Sequence, residues 1–219
     1  MSRITWDAIG EHFYETGVDQ VVLYTWDATT STFKNGVAWN GVTAINESPS
    51  GAESNPLYAD NIKYLDLLSA EDYGFTIEAY ASPEEFDECD GAVTVATGTT
   101  IRQQNRKPFA ICYRTLIGND TEGTNKGYKL HLIYNATASP SEQSHSTVNE
   151  NPEAASLSWE CKSTPVAVTG HKPTSVVEID CSTLSTAKKT AIETILYGGE
   201  NAEARMPLPD EVISTIGNE

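Results

Sequence analysis

Basic residues are scarce in this chain: 14 Lys and Arg stand against 31 Asp and Glu, for a formal net charge of −17. Nucleic-acid binding rests on cations that neutralise phosphates, so this balance does not suit a protein that grips DNA or RNA. Cysteine is sparse too. Cys89, Cys112, Cys161 and Cys181 stand alone, without a CxxC pair, which argues against a zinc or redox motif. Each lies in or beside strand-like text, where a free thiol behaves as a small buried hydrophobe. Cys112 and Cys161 could meet across a core, but the sequence does not pair them. His12, His131, His145 and His171 show neither HExxH spacing nor a cysteine at zinc-ligand distance. GxSxG, P-loop and GxGxxG patterns are absent, so the sequence points to no enzyme class and no cofactor. No apolar run approaches the roughly 18 residues of a membrane span. Residues 1–6 carry no basic-then-apolar leader, so reduced thiols in a cytosolic setting are expected. There is no internal repeat and no low-complexity segment.

What is present is a core. The 219 residues are 39% hydrophobic, with 10 Tyr, 5 Phe and 4 Trp, enough for one large or two small domains. Alternation organises the stretch from Arg106 to Val168. Phe109, Ile111, Tyr113 and Thr115 would point one way, with Ala110, Cys112 and Arg114 opposite. Tyr128, Leu130, Leu132 and Tyr134 share a side, as do Leu157, Trp159 and Cys161. Successive strand side chains face opposite ways, so these runs predict half-buried strands. Gly118–Gly127 reads as a long hairpin connection. His131 then falls on a sheet surface or interface.

Around this meander, Gln20–Trp26 is a strand, and Asn35–Ile45 a second one with an irregularity at Asn40-Gly41. Ile62–Leu68, Tyr73–Ala81 and Ser175–Cys181 complete the strands, while Gly91–Arg102 is only modestly apolar. Ser82, Pro83 and Glu85 spell a capping-box start for a short helix at about 83–88. Leu184, Ala187, Ala191, Ile192, Ile195 and Leu196 form the stripe of an amphipathic helix at about 183–197, stopped by Gly198-Gly199. Pro207 and Pro209 argue against regular structure beyond it, save a short turn at Glu211–Ile216. The expected fold is mainly β, a sandwich or barrel flanked by one helix. Residues 1–17 form an N-terminal arm, 18–199 a single β-domain, and 200–219 a C-terminal tail.

Two loops interrupt the domain. The segment 139–153 is polar, with Val148 alone apolar, and is read as solvated. The segment 46–61 holds Pro49, Gly51 and Pro56 and ends in Leu57-Tyr58, a pair a free loop has little reason to expose. It is a candidate to dock on another copy, against a self-packed surface loop. In the arm, Ile9, Phe13 and Tyr14 could line a short helix or lie on a neighbour. Asn119–Gly123 holds two carboxylates, but its Asn, Asp and Gly are what a turn needs. Glu84 and Glu85 suit the first turn of a helix. Trp26, Trp39 and Trp159 are the candidates for binding a carbohydrate on a β-sandwich, but Trp39 and Trp159 share their face with other apolar residues and read as core.

The runs RKPFAICYRTLIGNDTEG, GYKLHLIYNATASPSEQSHSTVNENPEA and LSWECKSTPV resemble the major tail protein of long-tailed, non-contractile (siphovirus-type) bacteriophages. So does the upstream text from NGVAWNGVTAINESPSG to EFDECDG; the resemblance spans roughly residues 18–181 and rests on many short segments without a chemical motif. It implies the tail-tube β-fold and a homo-oligomer in hexameric rings, stacked into a hollow tube in the virion after assembly in the host cytoplasm. The tube would conduct DNA without binding it specifically. It would meet the tape measure protein, the tail terminator and tail-tip proteins, with no membrane partner. The alternative is a β-sandwich that binds a ligand or glycan on a virion or cell surface.

Overall fold

The structure, a computed structural model, describes residues 3–143, 147 and 154–217. The chain is mainly β. In order come β1 (Tyr14–Asp27), β2 (Thr32–Ala38), β3 (Val42–Glu47), β4 (Ser50–Gly51), β5 (Ser54–Ala59), β6 (Ile62–Leu68) and β7 (Glu71–Ala79). Then follow β8 (Val93–Ala96), β9 (Thr99–Ile101), β10 (Phe109–Asn119), β11 (Gly123–Ala138), β12 (Leu157–Ser163) and β13 (Val176–Asp180), and last α1 (Thr186–Tyr197) and α2 (Pro209–Gly217).

The large sheet is antiparallel and runs β2-β1-β10-β11-β12-β7-β3, with β13 added to β11 and β4 to β7. Its two outermost strands, β2 and β3, are consecutive in the chain and joined only by Trp39–Gly41. Flat, they would lie some ~29 Å apart at about 4.8 Å per strand. A link that short spans at most about 14 Å. The sheet therefore rolls back on itself.

Rolling gives the sheet an inside and an outside, and the sequence alternation sorts residues between them. Inside lie Leu23, Phe75, Ile77, Phe109, Ile111 and Trp159, with Trp39 and Phe86 closing one end. The Phe86 ring centroid sits 4.6 Å from Trp39, 5.3 Å from Phe109 and 5.4 Å from Trp159, as tilted or edge-on pairs. Trp39 donates its indole N–H to Ala81 over 2.7 Å. Outside, Tyr24, Cys112, Leu130, Leu132 and Tyr134 are covered by Ile192 and Leu196 of α1, Met206, and Val212 of α2. The central strands β10 and β11 are thus buried on both faces. Cys112 and Cys161 lie in different layers, and all four thiols are free and buried. Burial pushes Cys89 up to about 12 and Cys181 up to about 11.

Several expectations need correction. Asn35–Ile45 is two strands, because the irregularity at Asn40-Gly41 is the corner that carries the chain across the sheet. The hairpin connection is short: β10 runs to Asn119 and β11 starts at Gly123. Gly91–Arg102 folds as the hairpin β8–β9. The helix at 83–88 is a single 3-10 turn, Glu84–Phe86, without a side-chain cap, because Phe86 is drawn into the core. α1 begins at Thr186 with Ser185 as N-cap, since Cys181–Thr183 forms a separate 3-10 turn. Residues 200–217 are not a bare tail. Pro209 opens α2, where its missing N–H costs nothing. Ile9, Phe13 and Tyr14 form no helix, and Tyr14–Gly17 already belongs to β1. His131 is buried, 6% exposed. His145, Val148 and most of 139–153 lie outside the described residues.

Candidate self-assembly surface

The segment 46–61 is not an irregular loop. Pro49 and Gly51 look like breakers, but they mark bends in a long two-stranded ribbon, residues 42–79. Its root belongs to the sheet, through β3 against β7 and then β4 against β7. Between root and tip, the Ala52 N–H bonds Ala70 and the Ser69 N–H bonds Glu53. Beyond these, β5 pairs with β6 and the ribbon leaves the body. Gly51 sits at φ +94, and a Cβ there would lie 2.2 Å from the Ala70 carbonyl oxygen.

Every residue of β5 and β6 is exposed. The register pairs Asn55 with Leu67, Leu57 with Leu65 and Ala59 with Ile62, and so gathers these six on one face. The other face is mixed: it carries Ser54, Pro56, Tyr58, Lys63, Asp66 and Leu68, with Lys63 and Ser54 both bonded to Asp66. The first face is thus mostly aliphatic, and among the described residues nothing covers it. Leu57 is 48% exposed, Leu65 46% and Ile62 63%. A soluble fold seldom presents a contiguous apolar face unless something docks there.

Ile4, Trp6, Ile9 and Phe13 are the second exposed apolar group. Their segment is fastened to the β10–β11 turn. Asp120 accepts the Gly10 N–H over 3.0 Å, Asn119 donates to the Gly10 carbonyl over 3.1 Å, and His12 lies 3.2 Å from Asp120. The Gly10 N–H, with His12 behind it, holds the Asp120 carboxyl below the usual range. Phe13 and Tyr14 then line a groove of about 480 Å³ with Ile117 and Lys129. The turn expected at Asn119–Gly123 thus serves as an anchor. Among the described residues no group of three His, Cys, Asp or Glu side chains is placed to hold a metal ion.

Sheet edges are treated unequally. The outer edge of β2 is covered: the Gly36 N–H bonds Ala204, and the Met206 N–H bonds Phe33. β3 and β13 each have a strand on one side only among the described residues. Exposed edges are templates for another chain. Of the assembly candidates, Leu57 and Tyr58 fall on opposite ribbon faces, Pro49 and Gly51 at its root, and Pro56 within β5. The structure brings Tyr14 and Phe13 together but leaves Ile9 apart. The sequence reading missed Leu65 and Leu67, whose spacing from Ile62 was visible but was assigned to a sheet strand.

No protein-family model and no curated protein matches the chain. Among solved structures, it overlaps a chain of the sheath-tube complex of an extracellular contractile injection system (PVC, extended state). Identity is 14%, coverage 74% of this chain and 88% of that one, and the TM-score 0.33. A chain of the anti-feeding prophage (AFP) baseplate gives 8%, 81%, 98% and 0.37. A chain of the PVC sheath/tube terminator in the extended state gives 11%, 81%, 99% and 0.33. Overlaps this loose carry no functional weight.

Proposed function

We propose that the chain is a structural subunit that polymerises with copies of itself into a tail tube of stacked rings. The observation that carries this is the ribbon: an exposed β-hairpin whose Leu57, Ile62, Leu65 and Leu67 share one face that nothing among the described residues covers. A second copy that covers this face supplies what the monomer lacks. The open edges of β3 and β13 offer neighbours a place to extend the sheet, and repetition about an axis closes a ring. The sequence resemblance over residues 18–181 supports the tube as the product, in hexameric rings, with the tape measure protein inside during assembly and terminator and tail-tip proteins at the ends.

A net charge of −17 fits a conduit that DNA crosses without sticking. On this reading a good share of the acids faces the bore, and a basic or apolar lining would overturn that detail. The glycan-binding alternative gains nothing from Trp39 and Trp159, which are buried in the core.

Negative-stain microscopy of the purified chain tests the proposal. Tubes or rings of uniform bore are expected. A variant in which a two-residue turn replaces 53–69 should remain a folded monomer. Wild-type protein that stays monomeric at high concentration, or tubes formed by the ribbonless variant, would refute the reading.

A further inference from the structure

His131 lies in β11, stacked flat on Tyr113 with ring centroids 4.6 Å apart and planes within 2°. Its tautomer follows from counting hydrogens. The Thr115 hydroxyl is 2.6 Å from Glu15 Oε1 and 2.9 Å from His131 Nε2. An ionised carboxylate only accepts, so the one hydroxyl hydrogen goes to Glu15, and His131 Nε2 must carry its own hydrogen to meet Thr115. In a neutral ring Nδ1 is then a bare lone pair. It is buried without a hydrogen-bond partner, and Glu47 Oε1 lies 3.9 Å away. A lone pair facing a carboxylate is repelled, whereas an N–H⁺ there is attracted.

The surroundings push the same way. Glu15 of β1 lies 3.3 Å from the ring and Glu47 of β3 3.9 Å, while Glu178 of β13 stands opposite His131 in the register. Lys129 of β11 lies 2.7 Å from Glu15 and 3.9 Å from Glu178. Tyr113 of β10 donates its hydroxyl to Glu47, and Tyr73 of β7 stands beside the same carboxylate. Lys129 thus answers Glu15 and Glu178 but not Glu47, and a proton on His131 supplies the cation that faces Glu47. Burial opposes the charge on Glu15, but Lys129 and Thr115 outweigh it and hold its carboxyl below the ordinary range.

Position gives the cluster its consequence. Glu47 is the last residue of β3, just before the bend at Pro49, at the root of the ribbon. Glu15 is the second residue of β1, where the N-terminal segment ends. We propose that a proton on His131 clamps Glu15 and Glu47 together, so that the order of the ribbon root depends on pH. The clamp is closed while the ring is protonated and the carboxylates are ionised. It opens when the ring gives up that proton toward higher pH. Any assembly through the ribbon inherits that dependence, but the clamp itself is a property of one subunit.

Amide hydrogen exchange on the full-length, unassembled chain tests this between about pH 5.5 and about pH 8, corrected for intrinsic rates, with the Leu65→Asp background used to prevent polymerisation. Opening of Ala44–Ser48 and Tyr73–Phe75 is expected to become at least about fivefold more frequent toward the higher pH. The β8–β9 hairpin serves as an internal control and should not respond. His131→Gln keeps a donor and an acceptor but cannot take the charge, and Glu47→Gln removes its target. Both should flatten the response, and Glu47→Gln alone decides the matter if His131→Gln does not fold. A flat wild-type profile, or an unchanged slope in whichever variants fold, would overturn the clamp whether or not tubes form.

Discussion

The Tyr24 hydroxyl donates to the backbone carbonyl of Leu196 over 2.7 Å, in a fully buried contact between β1 and the last turn of α1. Carbonyls at a helix C-terminus have no partner within the helix, and Tyr24 supplies one. Tyr24→Phe keeps the ring and strands that carbonyl. It should lower stability by about 1–3 kcal/mol, read as a lower urea midpoint with an unchanged slope. Polymerisation should survive wherever the variant is folded.

The ribbon should behave in the opposite way. Leu65 is solvated in the monomer, so Leu65→Asp should shift stability by no more than about 0.5 kcal/mol. At an interface the same change leaves a buried charge unpaired and removes about 1.5–3 kcal/mol of apolar burial. Sedimentation velocity should show monomers where the wild type forms large particles. Lys63→Ala, on the mixed face, should retain assembly.

Gly51 is placed to test the joint. A side chain there meets the Ala70 carbonyl in a backbone conformation that L residues avoid. Gly51→Val should cost about 1–3 kcal/mol locally. Proteolysis between Ser48 and Asp72 should accelerate while the core melts near the wild-type temperature.

Asp120 governs the N-terminal segment. Its carboxyl is lowered by the Gly10 N–H and by His12, so the attachment it makes is fully present above the unfolded carboxylate value near ~3.9. It is lost as pH falls through the lower, folded value. Cleavage within residues 3–13 by an acid-active protease should therefore increase only below about pH 4. In Asp120→Asn the segment should be cleaved readily at neutral pH.

The strands of the meander and their two faces were legible because alternation is a direct record of which side meets a core. Phe109, Ile111 and Tyr113 went one way, Ala110 and Cys112 the other, as the two layers require. The ribbon was half legible. Pro49, Gly51 and Pro56 suggested a loop, because breakers look alike whether they end a strand or bend one. Only pairing with β6 distinguishes these, and pairing is non-local. Pro209 misled in the same manner, since proline forbids a helix interior and suits its first residue. His131 was legible as a strand residue, but its burial was not. Its burial depends on Glu15, Glu47 and Tyr113, which reach it from three other strands.

Residues 204–206 cover the outer margin of β2, while among the described residues no strand covers the free margins of β3 and β13. If copies join edge to edge as proposed, growth has a direction: β3 and β13 can receive a strand and β2 cannot. On the proposed reading, the sealed flank denies a fibril one of the margins from which it would widen.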